Sequence, residues 1–128
     1  MAKHLPIRSD KAPAPIGPYS QAIKSGGMIF CSGQVALGPN GDEALPDDVA
    51  EQAEQVMQNL AHVLGAAGAS LADVVKTSIF LLDMADFAAV NAVYARHMAL
   101  PYPARETVAV LGLPRGAKVE ISCIAFTA

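Results

Sequence analysis

The chain has 128 residues, 52% of them hydrophobic and 16% charged, with a net charge of −3. That length suits one compact domain, taken as residues 1–128. No basic stripe of the kind that nucleic-acid binders use is present, and no apolar run is long enough to span a bilayer. Nucleic acid and membrane are therefore not the expected partners. Met1 to Pro6 has no apolar leader core, so the soluble cytoplasm is the expected location. The charged fraction is below the roughly 25% of an average domain. A surface so poor in charge predicts that another copy of the chain covers part of it.

In chain order, Ala12 to Tyr19 is rich in proline and glycine and cannot form regular helix. It predicts an extended loop leading into a strand over Ser20 to Lys24, a turn at Ser25-Gly26-Gly27 and a strand over Met28 to Ser32. Gln34 to Asp48 predicts a loop with a tight turn at Gly38-Pro39-Asn40-Gly41. Val49, Ala53, Val56, Met57, Leu60, Val63, Leu64 and Ala67 recur at helical spacing. Asp47 or Asp48 can cap that helix at its start, and Gly68 can cap its end. Val74 to Leu82 predicts a strand. Asp83 predicts the cap of a second helix burying Phe87, Val90, Tyr94 and Met98, which ends at Pro101 and Pro103. Strands follow over Arg105 to Leu111 and Lys118 to Phe126, joined by a turn at Leu113 to Gly116. The order reads β-β-β-α-β-α-β-β, with one of the three leading strands unplaced. It predicts an α+β fold, a mixed sheet with both helices on one face.

Side chains alternate across a strand. Val119, Ile121, Cys123 and Ala125 form the apolar set expected under the helices, with Val75, Thr77 and Ile79. Lys118, Glu120 and Ser122 are expected to face outward with Lys76, Ser78, Phe80, Leu82, Ile124 and Phe126. Such a mixed face suits a subunit interface holding a wet cleft; an ordinary solvated face fits the pattern equally. Strict alternation puts Glu106 on the helix side, opposite to Arg105, which is an awkward place for a carboxylate. Cys31 and Cys123 form no CxxC motif and read as buried thiols, although two cysteines can pair. His4, His62 and His97 lack metal-ligand spacing, and no phosphate-binding glycine pattern occurs. No metal and no organic cofactor are expected.

Four segments carry a resemblance: Ala14 to Ala22 (APIGPYSQA), Ser32-Gly33-Gln34, the run Val74 to Thr77 through Asp86 to Asn91, and Pro103-Ala104-Arg105 followed by Leu113 to Ile121. In this order and spacing they resemble the reactive-intermediate deaminase (RidA/YjgF/L-PSP) family over nearly the whole chain from Ala12. The resemblance implies a chorismate-mutase-like fold and a homotrimer with a central barrel and sites between subunits. It implies hydrolysis of imines of small amino acids, of the 2-iminobutanoate/2-iminopropanoate type, to 2-keto acids and ammonia. Arg105 occupies the place of the substrate-carboxylate arginine, Glu120 that of the glutamate acting on water, and Tyr19 that of the tyrosine closing the cleft. Ser32, Gly33, Asn91 and Thr107 fall on pocket-lining positions. Where many members have Arg-Ser-Cys, this chain has Arg105-Glu106-Thr107, so no thiol stands beside the arginine.

The implied chemistry places the imino acid's carboxylate on Arg105, through two parallel hydrogen bonds, and water on the C=N carbon with Glu120 as its base. Burial raises the pKa of such a glutamate, and a neighbouring Arg105 lowers it. Residue patterning alone fits instead an Arg105–Glu120 ion pair across adjacent strands. Two other functions suit the same residues. One is binding of 2-keto acids without turnover; the other is the endoribonuclease or translation-inhibitor activity attributed to some relatives.

Overall fold

The computed structural model describes residues 3–41 and 44–128. Met1 and Ala2, the first residues of the segment expected to hold no leader, and positions 42–43 of the loop after Gln34 lie outside the described residues. The elements are β1 (Leu5–Ile7), β2 (Ala22–Ser25), β3 (Met28–Gln34), α1 (Val49–Ala66), β4 (Val74–Leu81), α2 (Phe87–His97), β5 (Ala104–Ala109) and β6 (Val119–Phe126). β1 is the strand left unplaced above. The six strands form one sheet in the order β1-β2-β3-β6-β4-β5. Every pairing is antiparallel except β4–β5, which is parallel and needs the crossover that α2 supplies.

Helix α1 forms where the apolar stripe predicts it. Asp48 caps it, accepting a hydrogen bond from the Glu51 amide at 3.3 Å, and Gly68 follows with φ +80°. Val56, Met57, Leu60, Val63 and Leu64 are essentially inaccessible and pack on Ile29, Ile79, Leu81, Val119 and Ile121 of the sheet. Asp83 caps a short 3-10 turn, Met84–Asp86, and α2 proper begins only at Phe87. Val90 and Tyr94 are buried as expected. Phe87 stays over a third exposed, because it lies at the helix start beside the sheet edge.

The sheet corrects two facial assignments. A bulge between Val74 and Lys76 makes Val74 the residue paired with Ala125. Val75 therefore leaves the apolar set and is exposed. On β5 the parallel register pairs Thr77 with Arg105 and Ser78 with Glu106. In-register partners share a face, so Arg105 and Thr107 lie on the helix side with Thr77 and Ile79. Glu106 and Val108 lie outward, which resolves the awkward placing of Glu106. Its carboxylate accepts from Ser78 Oγ and pairs with Lys76 Nζ at 3.0 Å. The hydrogen bond from Ser78, then that from Lys76, hold its pKa below the usual carboxylate value. Thus Glu106 does not compete for the charge of Arg105. The outward face also exposes Phe30, Val108 and Phe126.

Candidate functional site: two grooves on opposite faces

Arg105 stands near the start of β5, at the edge of the sheet, and reaches along α2. Its Nη1 donates to Asn91 Oδ1 at 2.7 Å. Its guanidinium carbon lies 5.0 Å from the Tyr94 ring centroid and 5.6 Å from that of Phe87, within cation–π range. The Tyr94 ring is itself fixed, because its hydroxyl and that of Thr77 are hydrogen-bonded at 2.8 Å in the core. One side of the guanidinium is thus held by an amide and two rings. The rest faces a groove of about 470 Å³ lined by Asn91, Tyr94, Ala95, Tyr102, Pro103 and Arg105. Tyr94 and Phe87 read from the sequence only as core residues. Their part in aiming Arg105 depends on the α2–β5 contact, for which helical periodicity has no signal.

Thr107 lies behind Arg105, with Ile79, Leu81, Phe87, Val90 and Asn91 around it. Its Oγ1 is buried and lacks a hydrogen-bond partner among the described residues. A buried hydroxyl without a partner costs about 1–3 kcal/mol. Thr107→Val keeps the shape and removes the hydroxyl, and is expected to stabilise the protein by about 1 kcal/mol. Thermal unfolding checks this; an unchanged or lower Tm contradicts it.

The second group lies at the other side of the molecule. Glu120 on β6 pairs with Phe80 of β4 and faces outward. It shares a hollow of about 110 Å³ with Tyr19, Ile16, Gly33, Pro114 and Arg115. Burial pushes its carboxyl pKa above the ordinary value. Gly33 presses against it, since a Cβ at position 33 would stand 2.6 Å from Glu120 Oε2. The β3 bulge between Cys31 and Gln34 brings Gly33 there. Gly33→Ala forces the carboxylate aside. Its expected result is about a tenfold or greater fall in any activity that uses Glu120, with stability nearly unchanged because a flexible chain end gives way. Full activity in this variant would contradict that contact.

Ser32 does not line this hollow. Its Oγ donates to Ser20 O at 2.6 Å, and its amide donates to Gln21 O at 2.9 Å, which ties the Tyr19 loop to β3. Gln21, which the sequence marks only as a motif and strand residue, organises that loop from within. Buried at 1% exposure, it accepts from the Ser9 amide at 2.6 Å and donates to Ser9 O at 3.1 Å and Pro13 O at 2.8 Å. Such a side chain is the substitute for regular pairing that a proline-rich segment needs.

Arg105 and Glu120 therefore do not meet within one chain. β5 and β6 are separated by β4, and the two side chains leave the sheet on opposite faces. This overturns the cross-strand ion pair, and it removes Arg105 as a brake on the Glu120 pKa within the chain. Among the described residues, no group of three or more His, Cys, Asp or Glu side chains is placed to hold a metal. None of their helices is long and apolar enough to cross a membrane.

Fold and site together define an α+β domain of the chorismate-mutase-like class with two grooves on opposite faces of its sheet. The Endoribonuclease L-PSP family model matches residues 9–127. The chain belongs to this RidA/YjgF/L-PSP family. It is 47% identical over 119 residues to Reactive Intermediate Deaminase A, chloroplastic, of Arabidopsis thaliana, matching 93% of this chain and spanning 64% of that protein's length. It is 46% identical over 119 residues to the mouse 2-iminobutanoate/2-iminopropanoate deaminase, covering 93% of this chain and 88% of that one. Among solved structures, RidA from the Antarctic bacterium Psychrobacter sp. superposes with a TM-score of 0.92 at 45% identity, over 96% of this chain and 99% of that one. Escherichia coli TdcF with bound serine superposes at 0.90 and 39% identity, over 97% and 99%.

Proposed function

We propose that this protein is a 2-imino acid deaminase of the 2-iminobutanoate/2-iminopropanoate type, acting as a homotrimer in which the Arg105 half-cleft of one subunit faces the Glu120 half-cleft of the next. The observation that carries this reading is the separation of the two groups onto opposite faces of one sheet. Each half has part of the required chemistry and neither has all of it. The exposed Phe30, Val108 and Phe126 on the outward face favour its burial against another chain. The names of the mouse and Arabidopsis relatives support the reaction class.

In this reading Arg105, aimed by Asn91, Tyr94 and Phe87, takes the substrate carboxylate through two parallel N–H donors. That fixes the C=N carbon opposite Glu120. The Glu120 carboxylate takes a proton from water as the water oxygen bonds to that carbon, giving a tetrahedral carbinolamine. The same carboxyl returns that proton to nitrogen, then takes the carbinolamine hydroxyl proton as C=O forms and passes it to nitrogen as the C–N bond breaks, so that a 2-keto acid and ammonia leave. Tyr19 covers the cleft, Gly33 and Ser32 hold the Glu120 side in shape, and Thr107 supports the strand that bears Arg105. No thiol is needed, so the Glu106-Thr107 pair is compatible with the reaction.

The test generates 2-iminopropanoate or 2-iminobutanoate in situ with an amino-acid oxidase and traps it with semicarbazide. The protein is expected to suppress semicarbazone formation in proportion to its concentration. No suppression from folded protein, together with saturable 2-keto acid binding, would replace catalysis with a binding role.

A further inference from the structure

We propose that Cys31 and Cys123 are an oxidisable dithiol that closes to a cross-strand disulfide with a small hydroperoxide as the oxidant. The antiparallel β3–β6 register sets the two residues directly opposite one another. Opposed residues in an antiparallel pair have Cα atoms about 4.5–5.5 Å apart, inside the range of about 4.4–6.8 Å that disulfides span. Both thiols are free and buried. Both side chains lie on the helix side of the sheet in the core, 7% and 4% exposed, so a small hydroperoxide reaches them through local opening of the protein. The imine chemistry uses neither sulfur.

The two thiols are not equivalent. The hydrogen bond between them holds the Cys31 pKa below its ordinary value against the opposing effect of burial. The same bond, with burial, pushes Cys123 far up. Cys31 is also the more exposed of the two, at 7% against 4% for Cys123, and is the nucleophile. Its sulfur attacks one oxygen of the hydroperoxide, the O–O bond breaks, and the alcohol or water leaves with the Cys31 proton. The Cys123 sulfur then displaces hydroxide from the Cys31 sulfenic acid, and its own proton converts the hydroxide to water. Two thiols and one hydroperoxide become one disulfide, one alcohol (water, for hydrogen peroxide) and one water. The position has consequences for the fold around the site. Cys31 directly precedes Ser32, and the row Cys31, Cys123, Thr77, Arg105 runs across the sheet.

The experiment exposes the native full-length protein to hydrogen peroxide and quenches it. Thiols are then alkylated under denaturing conditions for intact-mass and peptide analysis. Expected are a mass lower by two hydrogens, loss of both alkylation sites together, one Cys31–Cys123 linked peptide within a single chain, and reversal by dithiothreitol. In Cys123→Ala, Cys31 is expected to take up oxygen or to form a mixed disulfide with an added thiol. Wild-type protein that keeps both thiols alkylatable, gains oxygen without losing two hydrogens, or links different chains would overturn the proposal.

Discussion

Arg105→Ala is expected to lower kcat/KM for 2-imino acid hydrolysis by about 100-fold or more, from the loss of two charge-assisted hydrogen bonds worth about 1.5–3 kcal/mol each. The guanidinium lies at the sheet edge over a groove, and its contacts to Asn91, Tyr94 and Phe87 are on one side only. Its removal leaves the core of α1 on the sheet intact, so oligomeric size and Tm should stay close to wild type. Arg105→Lys keeps the charge without the planar fork, and should recover only part of the lost rate. The semicarbazone assay measures both. Near-normal rates in folded Arg105→Ala would remove Arg105 from the mechanism.

Glu120→Gln is expected to lower kcat by about 10²–10⁴-fold, the range of a lost general acid–base, and to change the pH dependence. Burial raises the Glu120 pKa, and in the bound complex the substrate carboxylate offsets the charge of the facing Arg105, so kcat should fall on the acid side with a midpoint above the ordinary value of 4.5. The residual rate of Glu120→Gln should lack that limb. Stability has a matching sign. Burial disfavours the charged carboxylate in the folded state, so this contribution is present at low pH and is lost as pH rises through the raised pKa. At neutral pH Glu120→Gln should therefore be as stable as wild type or more stable. A wild-type acid limb at or below 4.5, or an unchanged limb in the variant, would assign the proton transfer to another group.

Much of the fold was legible because it rests on local pattern. The α1 stripe, the Asp48 cap and Gly68 beyond its end are readable in residues, and the first part of β6, Val119 to Cys123, alternates between apolar and polar. β5 was not legible in its facing. It is short and at the edge, and the six residues of its run are mostly exposed, so no apolar alternation marks an inner side. Only the register with β4 settles which way Arg105 points. β1 escaped for a similar reason, being three residues with a central proline. The candidate residues themselves were found through resemblance, but their division into two groups is a property of strand order. That β4 lies between β5 and β6 is a non-local fact which no window of sequence contains. Likewise Gln21, Tyr94 and Phe87 support the site through contacts that join separate elements.

In the proposed trimer one working site needs two chains. Arg105→Ala and Glu120→Gln should each be inactive alone. The two are to be unfolded together in equal amounts, refolded, and assayed for imine hydrolysis. In a cyclic assembly with the two halves on neighbouring subunits, random mixing pairs an intact Arg105 with an intact Glu120 in about a quarter of the sites. Recovery of about that fraction of wild-type activity is expected. No recovery from mixed oligomers, with each variant folded and assembled, would contradict it.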